Sequence, residues 1–513
     1  MSGRGWRATG ASAASPGDTA RLYHRLSSYD VYVPADEMPP PVAHELVVQD
    51  FTPLDPARLP PAWKQYPSDL PVVELPDDWP RPAIAATEAL AGHAPGTTLP
   101  LDLATLGRLL HLSAGVVRVR DARPSRTELT FRAAGSAGGR FPLEVYVVAR
   151  GVRGLDDATW WYHPERHALV RVGPAAEGEA TTLIVTGVPW RTAWKYAERG
   201  FRHVYWDAGS MLAQTLLVAE SAGWEPRLWV AFPDTEVARI VGADGVEEWP
   251  VALVTVGPGE PSIRPAGDAA RGFLGDDPED FPLVTLAQHA GDQDTLGAPV
   301  PIAPALEGHV PHSDDVDAVV LRRGSARTLD PHGTVARETY EFTVAAALRA
   351  ARTPHVLAVH AVDGVAPGLY RPALDAAPAR TGDVREPLLR ACWDMSLAAD
   401  AAFVAIGVVD LAGVDDRGYR EAQLTAGIFE GRLHLAAYAL GLGASGLTFL
   451  DRELETLVAP VVAGRPGGLL VTSVGVPEYA NRPGGMPRRP ARIVTPIGRE
   501  SPRPLPATKP PAT

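Results

Sequence analysis

The residues best suited to contact a ligand form a loop of small side chains that leads into an apolar strand. The loop reads Gly135, Ser136, Ala137, Gly138 and Gly139. Where side chains are absent, the backbone can lie directly against a flat or anionic ligand. The loop is not a Walker loop, because no Gly-Lys-Ser/Thr follows it, and it is not a dinucleotide fingerprint, because it enters a strand. Taken alone, such a loop is more typical of a simple connection before a strand.

A second set of polar residues lies on a helix predicted from Arg191 to about Ala222. Its buried stripe, with a period of 3.6 residues, consists of Phe201, Val204, Tyr205, Ala208 and Leu212. Its early polar face carries Lys195, Tyr196, Arg199, Arg202 and His203. For Arg199 we expect a solvated face, with Glu198 and Arg202 paired one turn apart.

Composition limits the partners of this chain. Its 513 residues suggest more than one domain, and its net charge of -13 leaves no basic surface for nucleic acid or an anionic membrane. A single cysteine, Cys392, excludes a disulfide framework. His163 and His167 bracket a turn, so we expect no metal site. With no apolar run near the spanning length of about 18 residues, we expect a cytoplasmic protein.

Shifts in composition along the chain suggest where its segments begin and end. We predict a helix over Leu99–Leu112, a strand over Leu143–Ala149 and a hairpin over Thr159–Arg171. The proline-rich segment before the first helix is predicted to form an extended arm that Phe51, Trp63 and Tyr66 anchor to the rest of the protein. The predicted segments are a disordered stretch (1–20), the arm (21–85), a first domain (86–257), a linker (258–313), a second domain (314–490) and a disordered Pro/Arg-rich tail (491–513).

The two predicted domains are copies of one α+β unit. Arg202, Gly209 and Gly223 are matched by Arg420, Gly427 and Gly441, and the offsets 420 − 202, 427 − 209 and 441 − 223 are each 218. A strand-like run follows each long helix, and each copy ends in a strand closed by Val-Gly. This pattern indicates a tandem duplication.

The chain resembles the nitroreductase superfamily, in its SagB/ThcOx branch of azoline dehydrogenases. The similarity covers most of residues 20 to 490. The matching segments are the arm (50–56 and 64–67), the small-residue loop and its strand (136–146), the start of the long helix (194–202), a cluster of arginines (322–327) and a glycine-rich turn (441–446). The resemblance implies two fused domains, each a mixed or antiparallel sheet flanked by helices, that form an intramolecular pseudo-dimer.

The resemblance also implies FMN at the interface between the two domains. The flavin phosphate would be held by Arg322, Arg323, Ser325 and Arg327, because guanidiniums and a hydroxyl make short charge-assisted bonds to a phosphate dianion. The alternative for this cluster is a surface patch. The other implied cofactor-binding residues are Arg132, Gly135, Ser136, Ala137 and Gly138 in the loop, Ser445, Gly446, Leu447 and Thr448 at the flavin edge, and Arg488, with Arg482 and Arg489 as alternatives.

The two copies lack complementary parts of such a site. Residues 82–107 contain no Lys or Arg, so the first copy has no phosphate-binding arginines. In the second copy, the helix ending near Arg352 runs into the strand beginning at His355, which leaves no room for a small-residue loop. One interface therefore keeps both halves of the site and the other keeps neither, which predicts one FMN per chain.

Lys195 and Tyr196 match the pair that removes the azoline proton in this branch. A lysine acts as a base near neutral pH only if its pKa is lowered, and Arg199 could contribute to that. The alternative is a lysine near the flavin without a role in proton transfer. We expect an FMN-dependent dehydrogenase or oxidase of a biosynthetic pathway, acting on a small molecule or on azolines of a ribosomal peptide, and working with other enzymes of a complex. The alternatives are an NAD(P)H-dependent reductase and a non-catalytic scaffold, and a higher oligomer stays open.

Overall fold

The computed structural model of the protein describes residues 15–29, 54–121, 129–371 and 377–493. Three predicted features lie outside these ranges: the stretch before residue 15, the anchor Phe51 and the tail beyond residue 493. No helix within the described ranges combines the length and the apolar character that crossing a membrane requires.

Thirteen α-helices occur in the described ranges. The first six are α1 (Asp18–Leu26), α2 (Ala86–Ala91), α3 (Leu103–Ala114), α4 (Pro189–Tyr196), α5 (Gly200–Ser221) and α6 (Asp234–Val241). The others are α7 (Pro282–Ala290), α8 (Val316–Arg322), α9 (Arg337–Leu348), α10 (Arg385–Ala391), α11 (Ser396–Asp400), α12 (Asp416–Ala439) and α13 (Asp451–Val458). The helix predicted over Leu99–Leu112 is confirmed as α3, whose N-cap Asp102 accepts a bond from the Thr105 N–H.

The strands of the first half are β1 (Val72–Glu74), β2 (Val116–Arg120), β3 (Leu129–Arg132), β4 (Leu143–Val148), β5 (Ala158–His163), β6 (Ala168–Pro174), β7 (Thr181–Gly187), β8 (Arg227–Trp229) and β9 (Trp249–Val256). Those of the second half are β10 (His355–Val359), β11 (Gly368–Tyr370), β12 (Arg380–Thr381), β13 (Phe403–Asp410), β14 (Gly443–Leu447), β15 (Pro466–Gly475) and β16 (Ala491–Arg492). The predicted strand over Leu143–Ala149 and the predicted hairpin over Thr159–Arg171 are confirmed.

The strands form two antiparallel sheets that repeat one order. The first sheet runs β1-β6-β5-β4-β7-β9-β8 and the second runs β12-β11-β10-β13-β15-β14. The central order β4-β7-β9-β8 is thus repeated by β10-β13-β15-β14, as the duplication predicts. A small third sheet joins the halves, because β16 pairs in parallel with β2, which also pairs with β3. The predicted α+β class is confirmed.

The two long helices, α5 and α12, cross at a pair of glycines. A Cβ atom on Gly209 would lie 2.2 Å from the Leu424 carbonyl oxygen, and one on Gly427 would lie 2.5 Å from the Trp206 carbonyl oxygen. Only glycine permits such close approach of two backbones. These glycines are related by the offset of the duplication, 427 − 209 = 218, so the same point of each copy packs against its counterpart.

Two buried ion-pair clusters join the halves on either side of this crossing. Arg199 and Arg202 of the first half contact the Asp451 carboxylate at 2.7 and 2.6 Å, and Arg417 and Arg420 of the second half contact Asp234 at 2.8 and 2.7 Å. The arginines of one cluster are those of the other displaced by 218 residues (417 − 199 and 420 − 202). Each aspartate begins the helix that follows the edge strand of its sheet.

The prediction of a solvated face at Arg199 is therefore wrong. Arg199 is 1% exposed and Arg202 is fully buried, because the second half covers this face of α5. Glu198 does not pair with Arg202. It is buried instead, and its carboxylate accepts a bond from the Val284 N–H at 2.9 Å.

The single helix predicted from Arg191 to Ala222 is interrupted. Helix α4 ends at Tyr196, Ala197 adopts a φ of 45°, and a short 3-10 turn leads into α5 at Gly200. A Cβ on Gly200 would lie 2.7 Å from the Ala193 Cβ, so glycine lets the two helices fold closely onto each other. The predicted apolar stripe from Phe201 to Leu212 is nonetheless buried, as expected.

The N-terminal arm packs on the body of the protein. Trp63 stacks on the Arg132 guanidinium at 5.1 Å, and the Tyr66 hydroxyl contacts the Tyr146 hydroxyl at 3.2 Å. Lys64 is buried in an ion pair with Glu248. Helix α1 begins at Asp18, inside the stretch predicted to be disordered.

The segment 258–313 is not a plain linker. It contains α7, whose Leu283 and Val284 are buried, and its main chain pairs with the arm between Gln65 and Phe273. Carbonyls at the end of α7 accept bonds from Arg417 and Arg420, just as carbonyls at the end of α1 accept bonds from Arg199 and Arg202. The segment is thus the second copy's counterpart of the N-terminal arm. Its high content of Gly and Pro had indicated a linker instead.

Candidate functional site

The small-residue loop lies directly against Lys195 and Tyr196. Gly138 has a φ of 60°, and a Cβ atom there would lie 2.7 Å from both the Lys195 Nζ and the Tyr196 hydroxyl. Glycine at 138 therefore serves both the left-handed backbone and the close approach of these two side chains. The helix break after Tyr196 ends α4 at the position that places both residues beside the loop.

The surroundings of Lys195 favour its neutral form. Its side chain is exposed, yet the partial desolvation of its amine and the nearby Arg140 guanidinium lower its pKa. The predicted contribution of Arg199 is absent, because Arg199 pairs with Asp451. Tyr196 is held in place by stacking on His203, with ring centroids 4.0 Å apart, and burial raises its pKa.

Arg323, which belongs to the second half, contacts the same loop. Its Nη2 donates to the Ala133 carbonyl at 2.7 Å, and its Nη1 lies 3.4 Å from where a Cβ of Gly135 would stand. The side chain is buried, and burial, reinforced by the nearby Arg118, lowers its pKa to about 10. Its Nε has no hydrogen-bond partner among the described residues. A cation of one half thus meets the small-residue loop of the other half.

The other members of the predicted phosphate-binding element differ in their exposure and their partners. Ser325 and Arg327 are exposed on the turn that follows α8, and the Arg327 main-chain N–H donates to the Tyr479 hydroxyl. Arg322 points elsewhere, because its guanidinium pairs with Asp314 at 2.6 Å. Arg322 is therefore directed away from Arg323, and phosphate binding by Arg323, Ser325 and Arg327 stays a prediction.

The predicted flavin-edge stretch, Ser445 to Thr448, covers the end of β14 at the edge of the second sheet. The Ala444 carbonyl accepts a bond from the Ala326 N–H at 2.8 Å, so this strand adjoins the arginine turn. A Cβ on Gly446 would lie 2.5 Å from the Glu430 carboxylate of α12. Leu447 is buried, whereas Gly446 is exposed and leaves its backbone open to a ligand.

Comparison with known proteins identifies the family. A protein of Methanocaldococcus jannaschii that is named as a nitroreductase is 31% identical over 173 residues, which cover 31% of this chain and 81% of that protein. The chain belongs to the nitroreductase family. A crystal structure from Anabaena variabilis, also named as a nitroreductase, shares the fold over 90% of this chain and 99% of its own, with a TM-score of 0.65 and 20% identity. No protein-family model matches the chain.

Of the arginines predicted to bind the cofactor, Arg488 has another role in this chain. Arg488 is held by Glu74 at 2.8 Å and by Asp77, and it donates to the Leu75 carbonyl of the arm and to the His167 carbonyl of the hairpin, so it fastens the arm. Arg132 is buried, donates to the Leu143 carbonyl and lines a small cavity behind the loop. Arg489 is 75% exposed near Asp77. The Nε and Nη2 of Arg132 have no hydrogen-bond partner among the described residues, so cofactor binding by Arg132 stays a prediction, as does phosphate binding by Arg482 or Arg489.

Two residues of the candidate site were missed from the sequence. Asp207 on α5 accepts bonds from the Ser136 hydroxyl at 2.5 Å and from the Ala137 N–H at 2.9 Å. Arg118 on β2 lies near Arg323 and donates to the Arg482 carbonyl at 3.0 Å. The only signal for Asp207 was an acidic residue within a largely apolar helix. Burial raises its pKa to about 7, against the effect of these two bonds and with a contribution from Glu430.

Among the described residues, one cluster could hold a metal ion by distance alone: His24, Asp451 and Glu455. Its Asp451 is already bound by Arg199 and Arg202, whose positive charges disfavour a cation. This cluster is therefore part of the interface between the halves.

Proposed function

We propose that this protein is an FMN-dependent oxidoreductase that binds one flavin between its two halves, in the manner of a dimer made from one chain. The contact between Arg323 of the second half and the loop at Ala133 and Gly135 of the first half carries the proposal. Neither half contains both parts.

The side chains at this contact fit FMN. Arg323 is a buried cation with an unpartnered Nε, and Ser325 and Arg327 stand beside it on an open turn. These donors suit a phosphate dianion. Gly138 and Gly446 are exposed, so their backbone is uncovered where a flat ring could lie. When bound, FMN supplies acceptance or donation of a hydride at this position.

The equivalent interface on the other side is filled by side chains of the protein itself. A Cβ on Gly92 would lie 2.2 Å from the Arg349 guanidinium, which donates to the Leu90 carbonyl at 3.0 Å, and Arg432 donates to that same carbonyl at 2.8 Å. The Nε, Nη1 and Nη2 of Arg349 all donate to main-chain carbonyls there, so this arginine is already engaged by the protein. This supports one flavin per chain.

We propose that Lys195 is the base of the reaction and that Tyr196 orients it. The Lys195 Nζ would accept a proton from a substrate carbon as the hydride leaves, and a lowered pKa keeps a larger fraction of the amine free to do so. The resemblance to azoline dehydrogenases suggests an azoline of a ribosomal peptide as the substrate, which would lose one proton and one hydride to become an azole.

The second candidate is an NAD(P)H-dependent reductase of a small molecule, which the relatives named as nitroreductases favour. It uses the same flavin in the opposite direction. Rapid bleaching of the flavin absorbance by NAD(P)H in the absence of any peptide would favour this reductase.

The visible absorption spectrum of the purified full chain tests the proposed function. We expect about one FMN per chain after reconstitution, because only one interface has a cation facing the loop. A protein that takes up no flavin would support the non-catalytic scaffold. Two flavins per chain would show that the second interface opens.

A further inference from the structure

Ser136 and Asp207 form a buried hydroxyl–carboxyl pair beneath the proposed flavin site. The Ser136 Oγ lies 2.5 Å from the Asp207 Oδ2, and the Asp207 Oδ1 accepts a bond from the Ala137 N–H at 2.9 Å. The Ser136 Oγ also accepts a bond from the Phe141 N–H at 2.7 Å. Asp207 is 5% exposed, whereas Ser136 is half-buried at the surface of the loop.

The proton count of this pair decides what Ser136 can offer to a ligand. A hydroxyl has one hydrogen to donate and two lone pairs to accept with. If Asp207 is ionised, the Ser136 hydrogen points to the carboxylate and is not available to a ligand. If Asp207 is protonated, its O–H can donate to Ser136, whose lone pairs are then filled by Asp207 and by the Phe141 N–H. The Ser136 hydrogen is then free to point into the site.

We propose that Asp207 is a positioning residue whose proton switches Ser136 into a hydrogen-bond donor for an acceptor oxygen of the bound flavin. The inference rests on the proposed function, since it assumes that the flavin lies against this loop. It explains why the small-residue loop keeps a serine whose hydroxyl would otherwise be used up by the protein.

The groups around Asp207 allow this proton to be held near neutral pH. Those that face it or its loop are Glu430 of α12, Arg323 after α8, Arg132 and Arg140 beside the loop, Lys195 and Tyr196 at the end of α4, and His203 on α5. Among the described residues, no Lys or Arg forms an ion pair with Asp207, and Glu430 adds a like charge. Burial is the largest influence, and it raises the pKa of Asp207 to about 7.

The sign of the effect follows from the raised pKa. Below about pH 7 the carboxyl carries its proton and Ser136 can donate to the flavin, whereas above it this bond is lost. One hydrogen bond to an acceptor oxygen corresponds to roughly a tenfold change in affinity. We therefore expect the affinity for FMN to fall about tenfold as the pH rises through about 7.

Fluorescence titration of FMN into the flavin-free full chain, from about pH 5.5 to about pH 8.5, tests the switch. Two variants serve as matched controls. Asp207→Asn keeps an acceptor for Ala137 and offers an N–H to Ser136, so it mimics the protonated acid and should bind FMN tightly across the whole range. Ser136→Ala lacks the switched donor and should bind weakly throughout.

The ratio of wild-type to Ser136→Ala affinity isolates the switch, because the titration of the FMN phosphate is common to both proteins. A ratio that stays constant with pH would overturn the proposal. So would an Asp207→Asn protein that keeps the wild-type pH dependence.

A second measurement does not need the flavin. The difference between the infrared spectra of the flavin-free wild type and Asp207→Asn cancels Glu198, whose pKa burial also raises to about 7. In that difference, the C=O band of a protonated carboxyl should be present at low pH and disappear as the pH rises through about 7. If no protein binds FMN but this band behaves as expected, the proposed function fails while the buried proton stands. If the band is absent at every pH tested, the switch fails whatever the flavin does.

Discussion

At the scale of single residues, Lys195 is the group whose position places the strictest requirement on the loop beside it. Its Nζ and the Tyr196 hydroxyl both stand 2.7 Å from a point that only a glycine leaves empty. A longer side chain at 138 would displace both. The proposed chemistry therefore depends on one lysine that packs directly against the loop.

Lys195→Met tests the base. It keeps the length of the apolar stem but has no amine, so it should bind FMN as the wild type does and lose about 10² to 10⁴ in the rate of substrate oxidation. Flavin reduction under single-turnover conditions is the measurement.

Arg140→Met is the matched control for this prediction. It removes the neighbouring cation that helps to lower the pKa of Lys195, so the rate should survive while its pH profile shifts to higher pH. Near wild-type turnover in Lys195→Met would show that the lysine only contacts the flavin or its phosphate.

Asp451 controls the response of the interface to acid. Burial alone would raise its pKa, but Arg199 and Arg202 hold the pKa at about 2, below the ordinary value of 3.8. A depressed carboxyl pKa contributes stability that is present above pH 3.8 and is lost as the pH falls towards 2.

The free energy of unfolding should therefore fall by about 2 kcal/mol over this window through Asp451 alone. In Asp451→Asn this part of the acid response should be missing, at the cost of about 3 to 5 kcal/mol at neutral pH because two buried guanidiniums lose their counter-charge. Urea unfolding at several pH values measures both effects. An unchanged acid response in the variant would contradict the assignment.

At the scale of elements, α7 shows most clearly how composition can mislead. The segment 258–313 is rich in Gly, Pro and Asp, which is typical of a linker. Its short apolar run, Leu283 and Val284 above all, is nevertheless buried against the rest of the molecule. The element therefore stabilises the fold instead of merely joining two domains.

Leu283→Ala should lower the free energy of unfolding by about 2 to 5 kcal/mol, as expected for a buried leucine. His309→Ala, at an exposed position of the same segment, should change it by less than about 0.5 kcal/mol. Chemical denaturation of both proteins makes the comparison. Equal and small effects would restore the linker interpretation.

The sequence predicted those elements that depend on local pattern. The 3.6-residue stripe of α5, the strands β4 to β6 and the offset of 218 between the copies required only periodicity and repetition. The break at Ala197 was not predictable, because it depends on the contact of Gly200 with Ala193. Neither were the burial of Arg199 and the diversion of Arg488 to the arm, since both depend on partners more than 250 residues away.

The residues of the candidate site also divide into those that the sequence predicted and those that it did not. Gly138 and Lys195 were identified from residue type and resemblance, and Arg323 from its cluster. Asp207 could not be identified, because a lone acid in a helix gives no indication that it faces a loop 70 residues earlier. The tertiary fold decides which polar residues of α5 meet a ligand and which meet the other half of the chain.

At the scale of the whole molecule, the two copies meet at two interfaces that differ in their contacts. Each places a buried arginine of the second half on a main-chain carbonyl of the first half: Arg323 on Ala133 at one interface and Arg349 on Leu90 at the other. Only at the first does the arginine also face the small-residue loop. The two arginines therefore form a matched pair with similar structural duties.

Arg323→Met and Arg349→Met should both reduce stability, because each removes a buried donor from a carbonyl across the halves. Only Arg323→Met should also lose flavin, by about 10- to 100-fold in affinity, as expected for one charge-assisted bond to a phosphate. Arg327→Ala, at an exposed position on the same turn, should weaken FMN binding without altering stability. Thermal unfolding of the flavin-free proteins and FMN titration separate the two quantities. If Arg349→Met lost the flavin and Arg323→Met kept it, the cofactor would lie at the opposite interface, and the division of labour between the two copies would have to be reversed.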